Sequence, residues 1–359
     1  MSRGDAMSGR QLSPAVRIAC GLVAMAALML AGFLLLLARG TVFIPLDEVV
    51  QLLAGGSGSR DIHRVIVIDA RLPKALAAVL AGAALGVGGA MMQTLFRNPL
   101  ADPYVLGVSS GAILGAAIVI LGSSATGWLS GLSLVRQLGI TGAAVAGAAL
   151  VLVLALAFAR RVGNPATVLI VGVMFGFLSG ALVDVLVYYA DPERLQGLAS
   201  FTRGTVRDIT WSDLQVLAPA CVLVILVSGL LARALNILLL GERYAATMGI
   251  SVRPVQFLAL AVVAVLAGVV TAYCGSIGFI GLAAPHLVRG ILGQSDHFVV
   301  LPGSALAGAV LVLAAEFVAG GNGLTDVTLP LNSVTAFMGA PVVLWVLLRR
   351  RREAGQVPS

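Results

Sequence analysis

Residues 254–273 read PVQFLALAVVAVLAGVVTAY, an apolar run of 20 residues without a charged side chain. A helix of that length rises about 30 Å, the thickness of a bilayer's hydrocarbon core, and there it satisfies its own backbone N–H and C=O groups. Runs of the same kind recur at 18–38, 72–95, 104–122, 138–159, 166–190, 212–233, 276–292, 299–319 and 331–348. Ten spans predict an all-α integral membrane protein with both termini on one side. The eighth is interrupted by Gly278, Gly281, Pro285 and His286, which predicts a short, bent or partly re-entrant segment.

Composition agrees. The 359 residues are 59% hydrophobic and only 11% charged, against roughly 45–50% apolar in soluble domains. No polar block large enough for a second domain interrupts the runs, so 18–348 reads as one transmembrane domain between tails at 1–17 and 349–359. The first run follows Arg10 and Arg17, is longer than a signal-peptide core and has no small-x-small cleavage site before Arg39, so it is retained as a spanning helix. The net charge of +7 sits in single arginines and short clusters between spans. Lipid headgroups and topology account for that pattern, and nucleic acid is not an expected partner. Cys20, Cys221 and Cys274 are widely spaced in apolar stretches, matching neither a disulfide framework nor a zinc site.

The alternating loops carry unequal positive charge. One set, with both termini, holds Arg3, Arg10, Arg17, Arg97, Arg160, Arg161, Arg233, Arg243, Arg253, Arg289 and Arg349 to Arg352, 14 in all. The other holds Arg39, Arg60, Arg64, Arg71, Lys74, Arg136, Arg194, Arg203 and Arg207, 9 in all. The positive-inside rule therefore places the termini in the cytoplasm of a bacterial inner membrane and turns 39–71, 191–211 and 320–330 outward. Small residues spaced by four, at Gly82 and Gly86, at Ser304 and Gly308, and at Gly172, Gly176 and Gly180, predict close helix packing. The Gly172 row has two further readings, a pathway lining or a dimer seam.

Catalytic motifs are weak. The single lysine, Lys74, follows Pro73 rather than a glycine loop, so the phosphate-cradling G-x-x-x-x-G-K-[ST] pattern is absent and any ATPase must be a separate chain. Gly107-Val108-Ser109-Ser110-Gly111 formally matches the nucleophile elbow G-x-S-x-G. It opens a membrane helix rather than following a strand, and neither His63, His286 nor His297 has an evident acidic orienter. No second ligand accompanies His286 at helical spacing, so no metal site is expected. Asp184 falls inside the fifth span, where an ionisable group faces a cavity or a partner, and Glu316 falls near the outer end of the ninth, where an interfacial position is expected.

Two loops suit protein contacts. Leu240-Gly241-Glu242-Arg243-Tyr244-Ala245-Ala246-Thr247-Met248-Gly249-Ile250 reads as a short helix stopped by Gly249. On the outer side Arg71 and Lys74 bracket Pro73 at the first turn of the second span, where lipid-headgroup anchoring is the alternative role.

From Arg71 onward the chain resembles the permease family that imports iron-siderophores, haem and cobalamin with a binding protein and an ABC ATPase. The matching stretches are Arg71-Leu72-Pro73-Lys74; Gln93-x-x-Phe96-Arg97-Asn98-Pro99-Leu100-Ala101-Asp102-Pro103 running into Leu106-Gly107-Val108-Ser109-Ser110-Gly111; Leu240-Gly241-Glu242; Gly278-Phe279-Ile280-Gly281-Leu282-x-x-Pro285-His286-x-x-Arg289; and Leu329-Pro330-Leu331-Asn332-Ser333-Val334-Thr335-Ala336 followed by Gly339-Ala340-Pro341. Five motifs in family order are specific.

The resemblance implies a type II ABC importer permease with ten helices per subunit, as a homodimer or with a close paralogue. It implies two ATPase subunits that hold ATP and Mg²⁺, and a periplasmic or lipid-anchored binding protein. It makes Leu240, Gly241, Glu242, Arg243, Ala245, Ala246, Met248 and Gly249 the coupling loop that docks on the ATPase, and Gly172, Gly176, Gly180 and Asp184 a translocation lining. Arg71 and Lys74 match family arginines that dock the binding protein; Lys74 keeps the charge without arginine's bidentate fork. Gly320 stands where the family has a third arginine. Arg203 and Arg207 either attract an anionic chelate or an acidic lobe of the binding protein, or belong to a plain solvated loop. Iron-siderophore is the first substrate implied, then haem and cobalamin. An ion-coupled carrier would need inverted repeats and more midplane charge, and a hydrolase would need a histidine beside Ser109 or Ser110.

Overall fold

The computed structural model describes residues 13–56, 61–125, 133–162, 165–320 and 328–354. The terminal residues 1–12 and 355–359 and most of the expected outer loop 320–330 lie outside these described residues. The elements are α1 (Pro14–Ala38), α2 (Leu46–Leu53), α3 (Asp61–Arg64), a π-helical turn (Val65–Arg71), α4 (Leu72–Leu95), a 3₁₀ turn (Pro103–Leu106), α5 (Val108–Ala125), α6 (Ser133–Val162), α7 (Pro165–Tyr188) and α8 (Pro192–Thr202). They continue with α9 (Trp211–Leu230), α10 (Ala232–Leu239), α11 (Glu242–Thr247), α12 (Val252–Cys274), α13 (Ile280–Leu292), α14 (His297–Ala319) and α15 (Leu331–Ala354).

Among the described residues seven helical stretches are long and apolar enough to cross a bilayer, and α5, α13 and α15 add shorter apolar segments. Each of the ten expected spans falls on one of these helices. Two of the short ones have a visible cause. After α4 the chain does not stay at the surface: Arg97 takes a left-handed backbone, φ +46°, and Pro103 turns back against Gly88 in the middle of α4. α5 therefore starts inside the bundle, later than the apolar run at 104 suggests. The eighth span begins late because Phe279, also left-handed at φ +68°, caps a helix that starts only at Ile280. Tyr104 fills the same level, its hydroxyl accepting from Ile277 N at 3.1 Å.

α4 is the axis of the bundle, buried along most of its length with α12 and α14 around it, whereas α1, α7 and α9 stand largely exposed. The small rows at Gly82–Gly86 and Ser304–Gly308 meet each other: a Cβ added at Gly82 or Gly86 would overlap the carbonyls of Gly308 or Ser304. Backbone touches backbone there, which only small residues allow. Elements that the apolar runs do not reveal, α2, α3, α8, α10 and α11, lie between spans and define two ends of the molecule. The lower end carries the start of α1, α10, α11 and the α13–α14 turn; the upper end carries residues 39–44, 71–74, 203–208 and 316–320.

Candidate functional site

At the lower end, Gly241 (φ +119°) and Gly249 (φ +81°) bracket α11. Both φ values disfavour any side chain, so the glycines set the sharp entry to and exit from this one short helix. Three apolar side chains here are 58–67% exposed: Leu240 before the glycine turn, Tyr244 on α11 and Met248 at its C-cap. Arg243 and Ala246 are exposed beside them, whereas Ala245 is fully buried and faces the bundle. The Glu242 carboxylate accepts from Gln256 Nε2 on α12 at 2.9 Å, so it holds the helix in place as well as presenting charge. Arg97 donates to the Leu238 carbonyl at 3.3 Å, reaching from the end of α4 to the last turn of α10. The left-handed backbone at Arg97, uncommon for a residue with a Cβ, aims this side chain.

The upper end is basic. Arg71 donates to the carbonyls of Leu37 (2.7 Å) and Val42 (2.5 Å), clasping the turn after α1. A Cβ at Gly40 would sit 2.6 Å from its guanidinium, so the glycine makes room for the clasp. Arg207 Nε donates to Glu316 Oε1 at 2.9 Å. Glu316, expected near the membrane interface, is only 6% exposed within the fold, and among the described residues its Oε2 has no hydrogen-bond partner. It is tolerated at that depth because Arg207 folds over it. Arg39, Arg71, Lys74, Arg207 and Glu316 line one open cleft that also contains Gly320; Arg203, Arg207, Asp208 and Glu316 line a second, adjoining one. The four expected docking residues thus lie on one continuous surface. Arg71 and Arg207 are engaged within the chain, and Arg203 is exposed.

The α7 row divides. A Cβ at Gly172 would lie 2.9 Å from the Leu106 backbone and one at Gly176 would lie 3.4 Å from Ser110 Oγ, so these two seat the start of α5. Gly180 faces open space, and Asp184 is exposed on the same helix among Leu182 and Val185. The histidines have other partners: His63 bonds Glu48 at 2.9 Å, His286 the Pro99 carbonyl at 2.9 Å, and His297 both Asn236 and Thr94. Among the described residues no cluster of three His, Cys, Asp or Glu is placed to hold a metal.

Tyr244, Arg97, Gln256 and Asn236 were not singled out from sequence. The exposure of Tyr244 shows only once α11 is packed against the bundle, and the others act through contacts between distant segments.

Among the described residues, a bundle of seven long and three shorter apolar helices, with a clamped, solvent-facing helix at one end and a basic surface at the other, suits the transmembrane subunit of a transporter. The profile of the FecCD transport family matches residues 28–349, and the chain belongs to that family. It is 38% identical over 293 residues to a hemin transport system permease of Yersinia pestis, covering 80% of this chain and 84% of that protein. It is 36% identical over 333 residues to a vitamin B12 import permease of Shigella boydii, covering 92% and 95%. A solved metal-chelate type ABC transporter in an inward-facing conformation superposes with a TM-score of 0.78 at 26% identity, over 91% of this chain and 98% of that one. The chain is accordingly the multi-pass permease of a bacterial ABC importer, a non-catalytic subunit of a family that works with an ATPase and a binding protein.

Proposed function

We propose that this permease carries a large metal chelate, an iron-siderophore complex, inward across the bacterial cytoplasmic membrane. The lower end faces the cytoplasm, with residues 18–348 as one domain and both tails, 1–17 and 349–359, on that side. Two copies, or one copy and a close paralogue, form the pathway at their axis, with Gly180 and Asp184 of α7 turned toward it and lipid around the outside. Two ATPase subunits bind ATP and Mg²⁺ and dock on the 240–249 loop. A periplasmic or lipid-anchored binding protein docks on the upper surface through Lys74 and Arg203, while Arg71 and Arg207 add charge and hold the loops that present them.

The observation that carries this reading is the exposed apolar set Leu240, Tyr244 and Met248. It is apolar and exposed at an end where the bundle also gathers Arg17, Arg97, Arg243 and Arg253, so it belongs to the cytoplasmic face and fits a protein cleft rather than lipid. The solved metal-chelate type relative supports the chelate class. Haem and cobalamin are the second reading, favoured by the names of the relatives.

Proteoliposomes holding the permease, its ATPase and its binding protein, given labelled ferric siderophore, haem and cobalamin in parallel, separate these cargoes. ATP-dependent accumulation of the ferric siderophore is expected. Uptake of haem or cobalamin alone would transfer the assignment to that cargo.

A further inference from the structure

α10 is two turns long and joins α9 to the 240–249 loop, and one of its side chains is built into a chain of hydrogen bonds that runs from the surface into the bundle. Asn236 Nδ2 donates to Asp296 Oδ1 at 2.6 Å, and the same Asp296 oxygen caps α14 by accepting from Phe298 N at 2.9 Å. Asn236 Oδ1 accepts from His297 N at 2.8 Å and lies 2.7 Å from His297 Nδ1. An amide oxygen only accepts, so Nδ1 carries a proton. The other ring nitrogen, Nε2, lies 2.7 Å from Thr94 Oγ1 on α4. Thr94 Oγ1 also lies 3.0 Å from the Ala90 carbonyl and has one proton to give. A ring protonated on both nitrogens donates to Thr94 while Thr94 donates to Ala90; with a ring protonated on Nδ1 alone, the link closes when the Thr94 proton turns from Ala90 to Nε2. His297 is fully buried and Thr94 is 3% exposed, so water does not compete for the bond between them, whereas Asn236 is half-buried.

The two helices reached are the pair whose backbones interlock at Gly82, Gly86, Ser304 and Gly308, and packing that close favours their moving as one body. Their far ends form the upper surface: α4 begins at Leu72 beside Arg71 and carries Lys74, and α14 carries Glu316, which holds Arg207. One physical path thus runs from the loop, through Asn236, His297 and Thr94, to both charged clefts.

We propose that Asn236, His297 and Thr94 form the mechanical joint that transmits displacement of the 240–249 loop to the α4–α14 pair, coupling ATP turnover at the lower end to the docking surface at the upper end. These are positioning residues. The proposal rests on the loop's role as the ATPase-docking element.

The test uses the full complex in proteoliposomes with Thr94→Val, which keeps the shape and removes the hydroxyl, Thr94→Ser, which keeps the hydroxyl, and Asn236→Ala. Three quantities are read: ATPase co-purification, stimulation of ATP turnover by the purified binding protein, and labelled ferric siderophore taken up per ATP hydrolysed. Thr94→Val and Asn236→Ala are expected to retain the ATPase, yet lose stimulation and uptake per ATP by roughly tenfold, within the range of ordinary coupling between sites. Thr94→Ser is expected to match wild type. A packing role would spare valine rather than serine, so wild-type ratios in Thr94→Val, or equal defects in the valine and serine variants, would overturn the joint. If Thr94→Val does not fold, Asn236→Ala decides by the same ratio. Normal ATPase binding and uptake in Tyr244→Asp/Met248→Asp would instead sink the loop reading, and the joint with it.

Discussion

Removing Arg207 should destabilise the permease more than removing both members of its pair. Glu316 is 6% exposed, its Oε1 is bonded to Arg207, and its Oε2 has no partner among the described residues. In Arg207→Leu both oxygens are left unpaired in a buried site, which costs about 3–5 kcal/mol when a buried pair is broken. Because the Arg207 side chain is 26% exposed, solvent relieves part of this and the lower figure, about 3 kcal/mol, applies. Glu316→Leu leaves a cation that can turn to water, so about 1 kcal/mol is expected. The double variant removes the charge problem altogether and should fall near wild type, giving a coupling energy of about 4 kcal/mol. Thermal unfolding followed by size-exclusion chromatography in detergent ranks the four proteins. At roughly 2–4 °C per kcal/mol, Arg207→Leu should melt about 6–12 °C early and the double variant should recover most of that. Additive losses in the double variant would refute the claim that the two side chains form one buried pair.

Three further outcomes follow from the same geometry. Gly308→Val should force α4 and α14 apart at the Gly82 carbonyl and cost about 1–3 kcal/mol, read as reduced yield of folded protein; wild-type yield would contradict the interlocked packing. Tyr244→Ala should weaken ATPase binding by about 2 kcal/mol, roughly thirtyfold in Kd, while Ala245→Ser, on the buried side of α11, should act on stability instead; titration of labelled ATPase separates the two. Arg71→Lys should lose one of the two carbonyl bonds to Leu37 and Val42 and increase proteolysis in 39–44 without changing ATPase affinity, as limited digestion will show.

The spans were legible because each buries or exposes a run of apolar residues long enough for a bilayer, a signal that needs no tertiary knowledge. The facing of Gly82–Gly86 with Ser304–Gly308 was half legible: four-residue spacing marks a close-packing face but not its partner. The late start of α5 was hidden because residues 104–107 are as apolar as a helix interior, and only the packing of Pro103 against Gly88 shows that the chain re-enters the bundle first. The burial of Glu316 was hidden for a related reason. Its position near the end of a span suggests an interface, and the residue that buries it, Arg207, is more than 100 positions away. The 240–249 loop was visible as a helix between glycines, but its inward and outward faces were not, and the role of Glu242 as an anchor to Gln256 depends on the approach of α12.

The central claim is that this chain transports only when an ATPase drives it through the lower loop. The direct measurement is uptake of labelled ferric siderophore into proteoliposomes with the binding protein outside and, inside, either the wild-type ATPase or one unable to hydrolyse ATP, each with and without an imposed proton gradient. The account predicts accumulation with the active ATPase alone, unchanged by the gradient. Accumulation driven by the gradient with the inactive ATPase would contradict it.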